Sequence, residues 1–262
     1  MACERNRIPE LVQYFESLGI EVNIGKNKAR GNKGLFKACS KNFRIDIAKG
    51  QSNETILKTL IHEFAHFIHY SCDKTLSSLD FIIDSKNQNL EEELIKLTVE
   101  SIPKESVAPI FNTKETIQNE IKNVSKTLKQ IYPDFKISKP FKPIEKNIKN
   151  TNLRYLLKYD RVKLIEGVST KIYSIDNINS SLEVQSYLKL KSLQRALKRV
   201  NSRINRLNKY YNSPTELFAR ALEIYITDRN SFIQKAPELV KYFDNSELSQ
   251  IENLKKIMLQ NC

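Results

Sequence analysis

The segment His62-Glu63-Phe64-Ala65-His66 sets two imidazoles four residues apart, with a carboxylate directly after the first. In a helix, residues four apart project from one face on adjacent turns, so both rings can meet one metal ion while the glutamate points to the ion's open side. Zinc suits this donor set. Three protein ligands and a water make a tetrahedral catalytic site, in which the metal lowers the water's pKa to about 7 and a neighbouring carboxylate accepts its proton. His62 and His66 are thus expected as ligands and Glu63 as the base. A purely structural zinc site has no use for such a base.

His69 is the third and last histidine of the chain. It shares the helical face but sits about 10 Å of rise from His62, too far for one ion to reach all three. It is expected as a packed residue. The metzincin pattern needs a glycine and a histidine where this chain has His69 and Cys72, which excludes that class. A third ligand is sought in a second helix, and the best carboxylate lies in Ser213-Pro214-Thr215-Glu216-Leu217-Phe218-Ala219-Arg220-Ala221-Leu222-Glu223. Glu216 falls in the first turn with Ala219 and Arg220 on its face, and a small Ala219 lets this helix approach the histidine helix. A first-turn acid is also what the helix dipole alone favours.

Together, His62-Glu63-Phe64-Ala65-His66 and Pro214-Thr215-Glu216-Leu217-Phe218-Ala219-Arg220-Ala221 resemble the gluzincin pattern of the zincin-like metallopeptidases. The likeness is closest to lethal-factor-type catalytic domains, Pro-Pro endopeptidases and the zincin domains of phage and mobile-element polyproteins. It covers about residues 8 to 72 and 205 to 245. It implies Glu216 as the third zinc ligand and a tyrosine shortly before it that stabilises the oxyanion; Tyr210 and Tyr211 precede Glu216 by six and five residues, which is not the family's usual spacing. The 149 residues between His66 and Glu216 also exceed what such domains carry. The ImmA/IrrE-type metalloproteases are a second resemblance; in their layout the ligand comes sooner and would be Glu91, Glu92, Glu93 or Glu100.

These residues need elements to hold them. Leu11, Val12, Phe15 and Leu18 have helical spacing before Gly19, giving a first helix over 8–18. Residues 20–24, 35–39 and 43–48 are expected as strands of a small sheet. Asn53 caps a helix over 54–70 that carries the metal motif on a broad apolar stripe. Prolines punctuate 101–150 around one helix at 114–132, a hairpin follows at 161–165 and 171–175, and 182–210 forms a long basic helix. Helices at 215–227 and, broken near Asp244, at 237–259 complete the chain. The fold class is α+β: a zincin-like fold with an N-terminal subdomain (1–100), a basic, mainly helical insertion (101–211) and a C-terminal helical subdomain (212–262) supplying Glu216. The resemblance to zincins implies that strand 43–48 is the substrate-aligning edge strand, where an extended peptide adds by backbone hydrogen bonding, with Phe43, Ile45 and Ile47 inward and Arg44 and Asp46 outward towards substrate. Charges there also protect an edge strand.

The net charge of +13 is not spread evenly. Residues 104–211 hold 23 Lys and Arg against 9 Asp and Glu, whereas the rest holds 20 against 21. A segment of this charge attracts nucleic acid, an acidic protein or an anionic lipid surface. No aromatic stacking motif, zinc finger or helix-turn-helix pattern singles out DNA. The four cysteines (Cys3, Cys39, Cys72, Cys262) are scattered and form no CxxC pair, so neither disulfides nor a cysteine zinc site is expected. No apolar run near the start resembles a signal sequence and none spans a membrane, which points to a cytoplasmic protein. A serine hydrolase is disfavoured by the absence of a GxSxG elbow. Two functions remain: a zinc endopeptidase acting on a protein or peptide, or a regulator that binds nucleic acid or an acidic partner on a zincin scaffold without proteolysis.

Overall fold

Helix α1 (Ile8–Ser17) buries Leu11 and Phe15 and stops where Gly19 takes a φ of +80°, a conformation glycine adopts without a Cβ clash. The chain then enters β1 (Ile20–Lys26), followed by β2 (Gly34–Cys39) and β3 (Asn42–Ala48). The computed structural model describes residues 7–26, 32–39, 42–82, 88–102, 104–166 and 169–259. It resolves an α+β chain into two compact units, Met1–Ile102 with Asn208–Cys262, and Pro103–Leu207. The segments expected as separate N- and C-terminal subdomains are therefore one body with one apolar core. Its boundary falls four residues before the end of a long helix, which assigns Tyr210 and Tyr211 to this unit.

In the first unit the strand order is β1-β3-β2, with β1 parallel and β2 antiparallel to β3. The expectation of β3 as an edge strand is thus corrected: it is the middle strand, and β2 lies at an edge. Three successive buried positions, Ile45, Asp46 and Ile47, fit an interior strand. Helix α2 (Asn53–Cys72) is capped by Ser52, whose side chain accepts from the Thr55 N–H at 3.3 Å, one residue before the expected cap. Helix α3 (Gln88–Ser101) adds an element to those expected, although Leu90, Leu94 and Leu97 have helical spacing. It packs against α7 (Pro214–Thr227), α8 (Arg229–Lys235) and α9 (Pro237–Asp244), and α10 (Ser249–Leu259) closes the unit.

The second unit is mainly helical, with α4 (Lys104–Ile131), α5 (Lys142–Lys149), a 3-10 turn (Asn152–Leu157), a hairpin of β4 (Arg161–Glu166) and β5 (Ser169–Ser174), and most of α6 (Leu182–Tyr211). Helix α4 starts ten residues earlier than expected and contains Pro109, which has no N–H to donate to the preceding turn and crowds the carbonyl there. Leu128, Phe135, Ile144, Ile148, Leu156, Tyr187, Leu188 and Leu190 form a separate core. Among the described residues no helix is long and apolar enough to cross a membrane. Cys39 and Cys72 are free and exposed; Cys3 and Cys262 lie outside the described residues.

Candidate metal centre

Helix α2 buries Leu60, Ile61, Phe64, Ala65, Phe67 and Ile68, and Phe64 stacks on Phe15 of α1 with ring centroids 4.1 Å apart. This apolar stripe fixes the helix's rotation about its axis, which turns His62 and His66 towards α7. Helix α7 is apolar enough to lie inside the unit, burying Leu217, Phe218, Ala219, Ala221, Leu222 and Tyr225, and its most extensive helix partner is α2. Two fully buried alanines, Ala65 and Ala219, are among the residues of this pair, and small side chains allow close backbone approach. Glu216, in the first turn of α7, is 5% exposed. A carboxylate so placed requires compensation.

His62, His66 and Glu216 come together, each offering one ligand atom within 4.8 Å of the others. Nε2 of His62 lies 3.4 Å from Glu216 Oε2, and Nε2 of His66 lies 3.5 Å from Oε1. These separations exceed the 2.7–3.2 Å of a good N–H···O bond. Two ligands about 2.0–2.1 Å from one zinc at the tetrahedral angle are about 3.3 Å apart, which is close to what is seen. Glu216 Oε2 is buried without a hydrogen-bond partner, as a ligand oxygen awaiting a cation would be. Residues and spacing therefore fit zinc.

The outer nitrogens are also held. His62 Nδ1 lies 2.9 Å from Glu223 Oε2, and His66 Nδ1 lies 2.7 Å from Thr215 Oγ1. An ionised carboxylate only accepts, so His62 donates from Nδ1 and its Nε2 lone pair is directed inward once the ring is neutral. Bonds of this kind orient a ligating histidine and raise its basicity. Neither Glu223 nor Thr215 was singled out from the sequence. The available signals were Glu223 two helical turns after Glu216 on the same face, and Thr215 directly before it.

Burial lowers the His62 pKa, but the facing Glu216 and Glu223 carboxylates outweigh it and hold it up at about 9. Glu216 is also penalised by burial, yet the two histidines bring it well below the usual carboxylate range. Proton and carboxylate thus occupy a site whose geometry suits a cation. Glu63 is shifted the other way: burial raises its pKa above the ordinary value, against the pull of His66, His62 and a backbone hydrogen bond.

That bond comes from the sheet. Phe36 N–H in β2 donates to Glu63 Oε2 at 2.7 Å. Just before it, Gly34 passes so near α2 that a Cβ there would lie 2.5 Å from Thr59 Cγ2, 2.7 Å from Glu63 Oε1 and 2.8 Å from Glu63 Cγ. Only glycine leaves room for the Glu63 side chain. The carboxylate is consequently held by one oxygen while the other lies beside a position without a side chain.

The two tyrosines differ in placement. Tyr210 is 46% exposed; partial desolvation of its hydroxyl and the nearby Glu216 and Glu63 carboxylates push its pKa above the ordinary value. Tyr211 instead lies under the Arg220 guanidinium, 5.0 Å from ring centroid to Cζ. His69 is fully buried; its Nε2 is 2.8 Å from the Ser78 carbonyl and its ring packs on Phe81 and Phe218. Glu93 accepts from the Glu238 and Leu239 N–H groups and caps α9, and neither Glu91, Glu92 nor Glu93 joins the histidines. The Glu100 side chain lies outside the described residues.

Asp46 requires a correction, whereas Arg44, with its side chain 39% exposed, keeps its outward place. Asp46 does not face outward to solvent; it is 4% exposed and paired with Lys37 at 2.6 Å and Arg44 at 3.2 Å. Register explains this. Lys37 pairs with Arg44 across β2 and β3 and stands diagonal to Asp46, on the face opposite Ile45 and Ile47. The two residues form a charge cluster on that face of the sheet. No protein-family model, curated protein or solved structure matches this chain.

Proposed function

We propose that the chain is a zinc-dependent endopeptidase of the gluzincin type on a zincin-like fold, hydrolysing peptide bonds of a protein substrate. The observation that carries this reading is the convergence of His62 Nε2, His66 Nε2 and the Glu216 carboxylate, with both outer ring nitrogens bonded and Glu63 one residue from the first ligand. Three protein ligands leave a fourth position for water, the hallmark of a catalytic site, in contrast to a closed structural one. Bound there, zinc supplies Lewis acidity and a water that loses its proton near neutral pH.

The remaining steps belong to the chain. Glu63 takes the water's proton on Oε1, since Oε2 is engaged by the Phe36 N–H. Glu63 would hold that proton while the water oxygen adds to the scissile carbonyl carbon, and would pass it to the departing amine as the C–N bond breaks. Tyr210, which lies within reach of the Glu216 and Glu63 charges, would donate a hydrogen bond to the carbonyl oxygen as negative charge develops there. An extended substrate would align along β2, the edge strand that also orients Glu63.

Elemental analysis of wild type, His66→Ala and Glu216→Gln, purified without added metal, tests the ligand set. One zinc per chain in wild type, lost in His66→Ala and depleted in Glu216→Gln, is expected. A peptide-library screen then reads activity, with zinc-loaded Glu63→Gln as the inactive control. Absence of zinc after reconstitution would overturn the enzyme reading. Zinc without any Glu63-dependent cleavage would favour a binding role.

A further inference from the structure

The second unit, residues 103–207, contains 22 Lys and Arg against 9 Asp and Glu, and the proposed peptidase chemistry uses none of them. Much of the positive charge on α6 is already paired. Arg195 and Arg199 engage Asp160, Lys191 engages Glu145, and Lys189 engages Glu120. One further cluster of charge lies off α6. A groove of about 770 Å³ on α4 and the turn after it is lined by Lys122, Lys126, Lys129 and Lys136, with Asn119 and Asn123 among the neutral polar groups. All four lysines are exposed, no ion pair engages them among the described residues, and no carboxylate lines the groove.

We propose that this groove binds the phosphodiester backbone of a nucleic-acid strand without reading its sequence. Lys122, Lys126 and Lys129 stand at i, i+4 and i+7, so they form one row along α4 with rises of about 6 and 4.5 Å. Lys136 faces the same space from the following turn. Lysine ammonium groups only donate, and phosphodiester oxygens only accept, so the two surfaces complement each other without leftover donors. An extended acidic peptide fits less well. Its backbone N–H groups need acceptors, while the walls are a helix and a turn with no strand edge. The concave shape likewise suits a chain better than a flat bilayer. Phe135 is 2% exposed, which leaves the floor without an aromatic face on which bases stack and therefore without a means of base discrimination there.

Fluorescence anisotropy of a labelled single-stranded DNA of about 20 nucleotides, titrated with the full chain across a salt series, tests this. The variant K122Q/K126Q/K129Q/K136Q removes the groove's charge. The variant K146Q/K158Q/K163Q/K198Q removes the same charge from other exposed positions of the unit. With four phosphate contacts at about 0.7 counterions each, the groove variant flattens the log K against log salt slope by about 3 and lowers affinity at least tenfold. The control variant is expected to stay within about threefold, and a shuffled oligonucleotide to bind like the original. Circular dichroism of both variants verifies folding.

Equal losses in the two variants would mean diffuse attraction and overturn the groove. So would absence of binding by wild type at low salt, a large preference between shuffled sequences, or more efficient displacement of the DNA by polyglutamate or anionic vesicles at matched charge. Repeating the titration with His66→Ala separates this proposal from the peptidase reading, because loss of metal leaves the four lysines in place.

Discussion

Glu223 Oε2 sits 2.9 Å from His62 Nδ1, on the side of the imidazole away from Glu216. Both glutamates come from α7, so a single helix supplies a metal-facing carboxylate and the group that orients a facing histidine. Removing the charge while keeping the shape should weaken zinc binding without unfolding the helix. Glu223→Gln is expected to lower zinc affinity about 10- to 100-fold, as measured by competition with a chromophoric chelator. An unchanged affinity would show that the bond does not orient the ring.

Zinc uptake should release a proton. The metal-free His62 holds its proton up to about pH 9, and a ligand nitrogen must give it up. Between pH 7 and 9 apparent zinc affinity is therefore expected to rise about tenfold per pH unit from this group, then level off. Calorimetry in buffers of different ionisation enthalpy reads the proton count directly. Glu223→Gln, lacking one of the charges that raise His62, should shift the levelling to lower pH.

Gly34→Ala should separate catalysis from metal binding. The added methyl would meet Thr59 Cγ2 and Glu63, so either β2 or the Glu63 carboxylate must move. Activity is expected to fall at least tenfold with zinc content retained, and stability by about 1–3 kcal/mol. Paired zinc analysis and peptide cleavage provide the check; full activity would mean that Glu63 has other productive positions.

The tyrosines make opposite predictions. Tyr210→Phe should reduce kcat by about 10²–10³ and leave zinc bound, in line with loss of one oxyanion donor. Tyr211→Phe should be near neutral, because that ring supports Arg220 through its face and keeps it after the change. Equal effects from the two variants would remove Tyr210 from the mechanism.

Asp160 offers a pH test in the other unit. It is partly desolvated, but hydrogen bonds from Ser192 and Arg195 and the charges of Arg195 and Arg199 bring its pKa below the ordinary value. A carboxyl depressed in the folded state stabilises above its unfolded pKa of about 3.9 and ceases to do so as pH falls through the folded value. Asp160→Asn is thus expected to cost about 1 kcal/mol at neutral pH, discounted for partial exposure, with the gap to wild type closing below about pH 4. Urea unfolding across that range measures it, and a gap that widens on acidification would contradict the assignment.

Local pattern carried much of this chain. The apolar stripes of α1, α2 and α7 and the glycine stop after α1 follow from short-range periodicity and steric rules, so their positions lay within a few residues of those observed. Charge partition marked the second unit almost to its boundaries. What short-range pattern could not supply was neighbour relations. Strand order made β3 central and confined Asp46, because pairing partners depend on a crossover that neither strand encodes alone. Helix α3 does carry an apolar stripe at helical spacing, Leu90, Leu94 and Leu97, but a short one, and its stability comes from packing on α7, α8 and α9.

By itself, the sequence determined which groups share the face of α2 and which carboxylate leads α7, since helical geometry fixes residues three and four apart regardless of context. Tertiary structure decided the rest: that Glu216 meets the two histidines across 149 intervening residues, that Tyr210 feels the Glu216 and Glu63 charges while Tyr211 lies under Arg220, and that Glu223, Thr215 and Gly34 support the site. Those relations arise from burial of two apolar helix faces against each other, an energy that depends on shape and contact, not on spacing along the chain.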